Sequence, residues 1–177
     1  MKFITGNINK FSEIQKLVPA IEQLSIDLDE IQEFDAQKVI EHKIIQAKEQ
    51  CSGDFFIEDT SLYIDALQGF PGPFIKWFLQ SLKPQGIYEL VQKYETPTAT
   101  AQTIIGAYIH GETYFFIGQT KGTIVSPKST SFGWDGIFQP EGFTKRYSEL
   151  SVEEKNAISQ RMKAVEKFKE FLEKSQQ

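Results

Sequence analysis

Cysteine is nearly absent from this chain. Cys51 stands alone among 177 residues, which excludes an internal disulfide, and no Cys or His partner lies at metal-ligand spacing from it. It falls at the end of a helical pattern, where a core residue is expected. His42 and His110 show no His-x-x-His or Glu-x-x-His arrangement, and both are read as structural. No apolar run approaches the length of a bilayer span, and the N-terminus lacks the basic, apolar and cleavage regions of a signal peptide. The expectation is a cytoplasmic protein with no membrane partner. Excess positive charge is missing as well: the formal net charge of −5 argues against a general nucleic-acid binder, whose affinity comes from basic surface. A small anionic substrate needs only a local group of lysines. There are no internal repeats, low-complexity tracts or linkers, and no Gly-x-Ser-x-Gly elbow for a serine nucleophile. The composition, 40% hydrophobic and 24% charged, suits one globular domain over residues 1–177 with a substantial core.

What is present begins with a strand. Met1-Lys2-Phe3-Ile4 is apolar and runs into Thr5-Gly6-Asn7-Ile8-Asn9-Lys10, where Phe11, Ile14 and Val18 recur at helical spacing until Pro19 stops them. A second strand is expected over Gln23–Ile26, followed by the acidic connection Asp27–Asp35 and a helix from Ala36 to Gln50. Phe55-Phe56-Ile57 reads as a buried strand ending at Glu58-Asp59-Thr60. This β-α-β-α-β order favours an α/β sheet with ligands at the carboxyl ends of its strands. Gly69-Phe70-Pro71-Gly72-Pro73 reads as a rigid loop, and Pro84 suits the first turn of a helix over 85–94. Residues 99–110 and 113–125 predict a hairpin turning at Gly111-Glu112. Ser126–Gly136 is a polar loop. Ser151-x-x-Glu154 is a capping box opening one C-terminal helix, with Ile158, Val165, Phe168 and Leu172 facing inward.

Several groups carry possible chemistry. The strand-to-helix turn Thr5–Lys10 points backbone N–H groups and a helix dipole at one spot, a phosphate cradle or an ordinary glycine turn. It is neither the P-loop nor the dinucleotide fingerprint. Carboxylates at Glu58-Asp59-Thr60 suit Mg²⁺, or form a strand-end turn with Asp59 capping the next segment. Glu30 lies in an acidic run that reads as a solvated face. Lys43 interrupts an apolar rhythm and reads as solvent-facing. Phe132-Gly133-Trp134-Asp135 is either a clamp for a planar ring or a loop anchor. Lys155, Ser159, Gln160 and Arg161 either grip a nucleotide or make a polar helix start.

In this order and spacing, Thr5-Gly6-Asn7-x-x-Lys10, Glu58-Asp59-Thr60, Gly69–Pro73 with Ile75-Lys76-Trp77, Phe132–Asp135 and Lys155-Asn156-Ala157-Ile158-Ser159-x-Arg161 resemble the inosine triphosphate pyrophosphatases. These enzymes hydrolyse non-standard purine nucleoside triphosphates to monophosphate and pyrophosphate. The likeness covers nearly the whole chain and is closer to the eukaryotic type. It implies an elongated α/β fold, a mixed sheet with flanking helices and two lobes around a deep nucleotide-binding cleft, usually paired as a homodimer. It implies roles too: Thr5, Gly6, Asn7, Lys10 and Lys43 for the triphosphate, Glu30 and Asp59 for Mg²⁺, and Asp59 as proton acceptor. Thr60 belongs to the Asp59 motif, Lys76 matches a substrate contact, and Phe132, Gly133, Trp134, Asp135, Lys155 and Arg161 match the nucleoside end. One position departs from the family, which normally has histidine where this chain has Gln160. The amide can donate to a purine O6, and its carbonyl can also turn inward and accept from adenine. The implied activity is hydrolysis of ITP, dITP and XTP. Rival readings are the same chemistry on a different base, or a nucleotide sensor, and the carboxylates speak against the sensor.

Overall fold

The computed structural model describes residues 1–128 and 133–175. In chain order the elements are β1 (Lys2–Ile4), α1 (Ile8–Gln15), β2 (Glu22–Leu24), α2 (Ala36–Gln50), β3 (Phe55–Ile64), β4 (Pro71–Gly72) and α3 (Ile75–Val91). Then come β5 (Thr98–Ile109), β6 (Glu112–Ile124), β7 (Phe138–Pro140), α4 (Val152–Ile158) and α5 (Gln160–Ser175). The strands form one open sheet in the order β2-β1-β3-β5-β6-β7, with β4 paired to β3. The sheet is mixed: β1 runs parallel to β2 and to β3, whereas β3–β4 and β6–β7 are antiparallel. The expected α/β fold with a mixed sheet and flanking helices is therefore present.

The chain divides into two compact units. The first comprises residues 1–59, 103–118 and 161–177, the second residues 60–102 and 119–160. Alternation along the strands gives the first unit a core on each sheet face. Phe3, Phe56, Ile105 and Ala107 join Ile14 of α1 and Val165 and Phe168 of α5, with Phe3 and Phe56 stacked at 4.5 Å. On the other face Ile4, Phe55, Ile57 and Ile104 meet Ile40, Ile44 and Ala47 of α2, and Cys51 is buried at that helix's end as expected. The second unit has its own core, in which Leu62, Ile64, Ile75, Ile87, Val91 and Ile124 surround Trp134, Phe138 and Tyr147.

Four local expectations change. The buried strand continues past Ile57 to Ile64, so Glu58-Asp59-Thr60 lies inside β3 and Asp59 caps no turn. Three polar residues hid the continuation. What ends at Ile57 is the parallel register with β1, whose last pair is Ile4↔Ile57; Glu58 and Asp59 thus follow the last residue of β3 paired with β1, as Thr5 and Gly6 follow its partner in β1. Helix α3 starts ten residues before Gln85, at Ile75, and is kinked at Lys83 (φ 59, ψ 168) ahead of Pro84; the extended ψ is that of a residue held out of the helical region by the following proline. The hairpin turns at His110-Gly111, both at positive φ, as a two-residue turn requires. The capping box at Ser151 and Glu154 forms, yet it opens only α4. Ser159 is extended (ψ 148) and separates α4 from α5.

Candidate active site

In the first unit, β1 delivers the chain into the turn before α1. Asn7 caps that helix: its Oδ1 accepts the backbone N–H groups of Asn9 (3.0 Å) and Lys10 (3.3 Å), while Thr5 Oγ1 accepts that of Asn7 (3.1 Å). Several N–H groups expected to face a phosphate are thus held by the turn's own side chains. Gly6 has no positive φ, and a Cβ built on it meets only Ser25 Oγ at 3.8 Å. Neither backbone strain nor packing requires glycine there.

Two ion-pair groups lie beside this turn. Lys43 of α2 reaches Glu30 Oε1 at 2.9 Å and Asp59 Oδ2 at 2.6 Å, bringing the two expected metal carboxylates to one cationic atom. Burial is the largest influence on Lys43 and would lower its pKa; Asp59 and Glu30 reverse this and raise it, so the ammonium stays charged. Lys43 is therefore not the solvent-facing lysine its helix pattern suggests. The oxygen donors of Glu30 and Asp59 fit a hard divalent cation such as Mg²⁺, which takes one or two carboxylates. Among the described residues no group of three or more His, Cys, Asp or Glu offers a fuller protein cage.

The other group centres on Glu58, whose side chain is fully buried. Lys10 Nζ lies 2.8 Å from its Oε2, and Arg161 Nε lies 3.3 Å from its Oε1; Arg161 Nη1 also donates to Glu13 Oε2 at 2.5 Å. Burial, the strongest effect on the Glu58 carboxyl, pushes its pKa up, but Lys10 and Arg161 outweigh it and hold it below the ordinary value. Lys10 also lies 3.9 Å from Asp59 Oδ1. The sequence pattern offers Glu58 only as one of the Mg²⁺ carboxylates of Glu58-Asp59-Thr60, not as the partner of Lys10 and Arg161, and it does not single out Glu13 at all. For Glu13 the available signal is its i, i+3 spacing from Lys10 on one helix.

In the second unit, Lys155 of α4 pairs with Asp135 Oδ2 at 2.5 Å. Trp134 is 7% exposed, edge-on to Phe138 at 5.3 Å and tilted against Tyr147 at 6.0 Å; it anchors the loop in the core. Gly133 supplies a positive φ (62°) beside it. Phe132, expected to flank that glycine, lies outside the described residues. Tyr147 escapes sequence reasoning, since a lone tyrosine carries no pattern. Its hydroxyl donates to Gln160 Oε1 at 3.1 Å, its ring lies under Lys155 Nζ at 5.4 Å, and burial pushes its pKa up to about 12. Thr60 lies within β3. Lys76 is exposed in the first turn of α3, its ammonium 5.2 Å from the ring of Trp77.

The sequence model of the Ham1 family matches residues 1–171. The chain is 39% identical to an inosine triphosphate pyrophosphatase of Scheffersomyces stipitis, over 96% of each chain. It is 42% identical to a protein of the same name from Candida glabrata, over 96% of this chain and 95% of that one. Among solved structures, the Ham1 protein of Staphylococcus aureus superposes with a TM-score of 0.84 at 22% identity, covering 99% of this chain and all of that one. A HAM1 protein from Coxiella burnetii gives 0.82 at 24%, covering 98% and 99%. At those identities the solved structures speak for the fold.

Proposed function

We propose that this chain, which belongs to the Ham1 family, is a nucleoside triphosphate pyrophosphatase that hydrolyses non-standard purine nucleoside triphosphates such as ITP, dITP and XTP to monophosphate and pyrophosphate. The supporting relatives bear the name inosine triphosphate pyrophosphatase. The observation that carries the reading is Lys43 held between Glu30 and Asp59. A protein that only binds a polyanion gains nothing from two acids beside its lysines, whereas carboxylates that hold a divalent cation make a triphosphate site.

Glu30 and Asp59 hold the cation, Mg²⁺ by preference, which when bound polarises phosphoryl oxygens and offsets substrate charge. Lys10 and Lys43 neutralise further phosphate charge, with the Thr5-Gly6-Asn7 turn alongside. Asp59, the more buried of the two carboxylates at 28% side-chain exposure against 36% for Glu30, orients water toward the α-phosphorus and accepts its proton. Pyrophosphate leaves among cations, with no covalent intermediate. Thr60 supports the Asp59 strand, and Lys76 contacts substrate. Phe132, Gly133, Trp134, Asp135, Lys155, Gln160 and Arg161 serve the nucleoside end. The enzyme acts as one domain over residues 1–177, as a cytoplasmic homodimer. Among the described residues no helix is long and apolar enough to cross a membrane.

The test is phosphorus NMR of ITP turnover with Mg²⁺. Inosine monophosphate and pyrophosphate are expected from the first time points; early diphosphate with free phosphate would overturn the cleavage site.

A further inference from the structure

We propose that Tyr147 is a positioning residue for base choice, its hydroxyl pinning the carbonyl end of the Gln160 amide so that only the NH₂ end is offered to a nucleobase. This rests on the function proposed above and names how the base is selected.

The geometry starts from a rigid ring. Tyr147 is 1% exposed, packs 4.9 Å from Phe138 and lies under Lys155, so its hydroxyl has one place to be. That hydroxyl donates to Gln160 Oε1 at 3.1 Å. Thr120 also touches it, but the Thr120 proton goes to the Ile158 carbonyl at 2.6 Å. With its pKa pushed up to about 12, Tyr147 keeps its own proton throughout the working range. Turning the Gln160 amide round would face the phenolic proton with an NH₂ group, which cannot accept it, and leave Oε1 without the Tyr147 donor.

The other end of the amide completes the argument. Gln160 is 4% exposed, yet among the described residues its Nε2 donates to no protein group. It is also not among the polar atoms sealed from solvent. A donor held in one orientation and open to solvent at an otherwise buried residue is suited to a ligand acceptor. Inosine and xanthine present such an acceptor at O6; adenine presents a donor at that position. A freely turning glutamine would serve both bases, and a pinned one serves only the first.

The experiment measures kcat/KM for ITP and for ATP in the wild type, Tyr147→Phe, Gln160→Met and the double variant, detecting pyrophosphate. Because both substrates are read on one preparation, any loss of folded protein cancels in the ratio. Tyr147→Phe is expected to lower the ITP to ATP ratio on the order of 10-fold, mainly by lowering KM for ATP, and to lower it no further in the Gln160→Met background. An unchanged ratio in Tyr147→Phe, or an equal drop in both backgrounds, would overturn the role of Tyr147 while leaving the pyrophosphatase reading intact. Absence of pyrophosphate release from any purine triphosphate by the wild type would overturn both. Should Tyr147→Phe fail to fold, Gln160→Glu keeps an acceptor for Tyr147 and loses the amide donor. A lowered ratio there supports the pinned donor, and an unchanged one overturns it.

Discussion

Lys43 shows how little a side chain's role depends on the pattern around it. On α2 it interrupts a run of apolar contacts, and Glu30 is one acid among several, so neither stands out in the sequence; what does is that Lys43 reaches Glu30 at 2.9 Å and Asp59 at 2.6 Å. Asp59→Asn keeps the shape of the side chain and removes its charge and basicity. Turnover of ITP is expected to fall about 10²-fold or more with the circular dichroism spectrum unchanged, and near-normal turnover at saturating Mg²⁺ would rule out Asp59 as the proton acceptor. Gly6 permits a complementary test. Nothing in the fold needs glycine there, so Gly6→Ala should leave the melting temperature within about 2 °C of wild type. If a phosphate approaches this turn closely, the added methyl should reduce kcat/KM by roughly 10-fold or more. Full activity in Gly6→Ala would remove the turn from the phosphate site.

Element boundaries were legible where the chain carries a chemical stop signal and obscure where tertiary packing decides. Helix α2 runs from Ala36 to Gln50 as its pattern predicts, because Asp35 caps it through the Gln37 N–H and Cys51 ends it extended and buried. The break at Ser159 has no proline or glycine to announce it, and the sequence reads as one helix through it. Strand β3 reads as ending early for a related reason: its polar residues Glu58 and Asp59 are held by charge partners rather than by solvent. Packing between elements gives a further prediction. A Cβ on Gly106 of β5 would lie 2.2 Å from Ile40 Cγ2 and 2.8 Å from Ile44 Cδ1, so Gly106→Ala must push α2 outward. The expected cost is about 1–3 kcal/mol in denaturant unfolding, with weakened ITP binding because α2 carries Lys43; a stability equal to wild type would show that α2 yields freely. Ahead of α4, Glu149 accepts from the Arg146 backbone N–H (3.0 Å), Lys128 (2.8 Å) and the Arg146 guanidinium (2.9 Å), and its pKa falls from 4.5 to about 2. A lowered carboxyl contributes stability above its unfolded pKa and loses it as pH falls through the folded one. The stability gap between wild type and Glu149→Gln should therefore be full near neutral pH and close between about pH 4.5 and 2. A gap that persists unchanged at the acid end would assign it to packing.

At the scale of the molecule, the α/β class could be read from the alternation of strands and helices, whereas two lobes were implied only by the resemblance and the assignment of residues to two units left no mark in the pattern. Chain segments 1–59, 103–118 and 161–177 return to one unit, and such long-range return leaves no local mark. The division has a functional consequence under the proposed reading, since Lys10, Glu30, Lys43 and Asp59 belong to the first unit while Asp135, Tyr147, Lys155 and Gln160 belong to the second. Fragments of the substrate should then protect different stretches of backbone. Pyrophosphate with Mg²⁺ is expected to slow amide hydrogen exchange around Thr5–Lys10 and Glu58–Asp59, and inosine alone to slow it around Gly133–Asp135 and Lys155–Gln160. A non-hydrolysable ITP analogue should raise stability by about 2.7 kcal/mol at a free concentration 100 times its Kd. Chelating the divalent ion should abolish the first unit's protection by pyrophosphate and spare the second unit's protection by inosine, because only the former depends on Glu30 and Asp59 holding a cation. Equal protection of both regions by pyrophosphate alone would contradict the assignment of the phosphates to the lysine and carboxylate cluster.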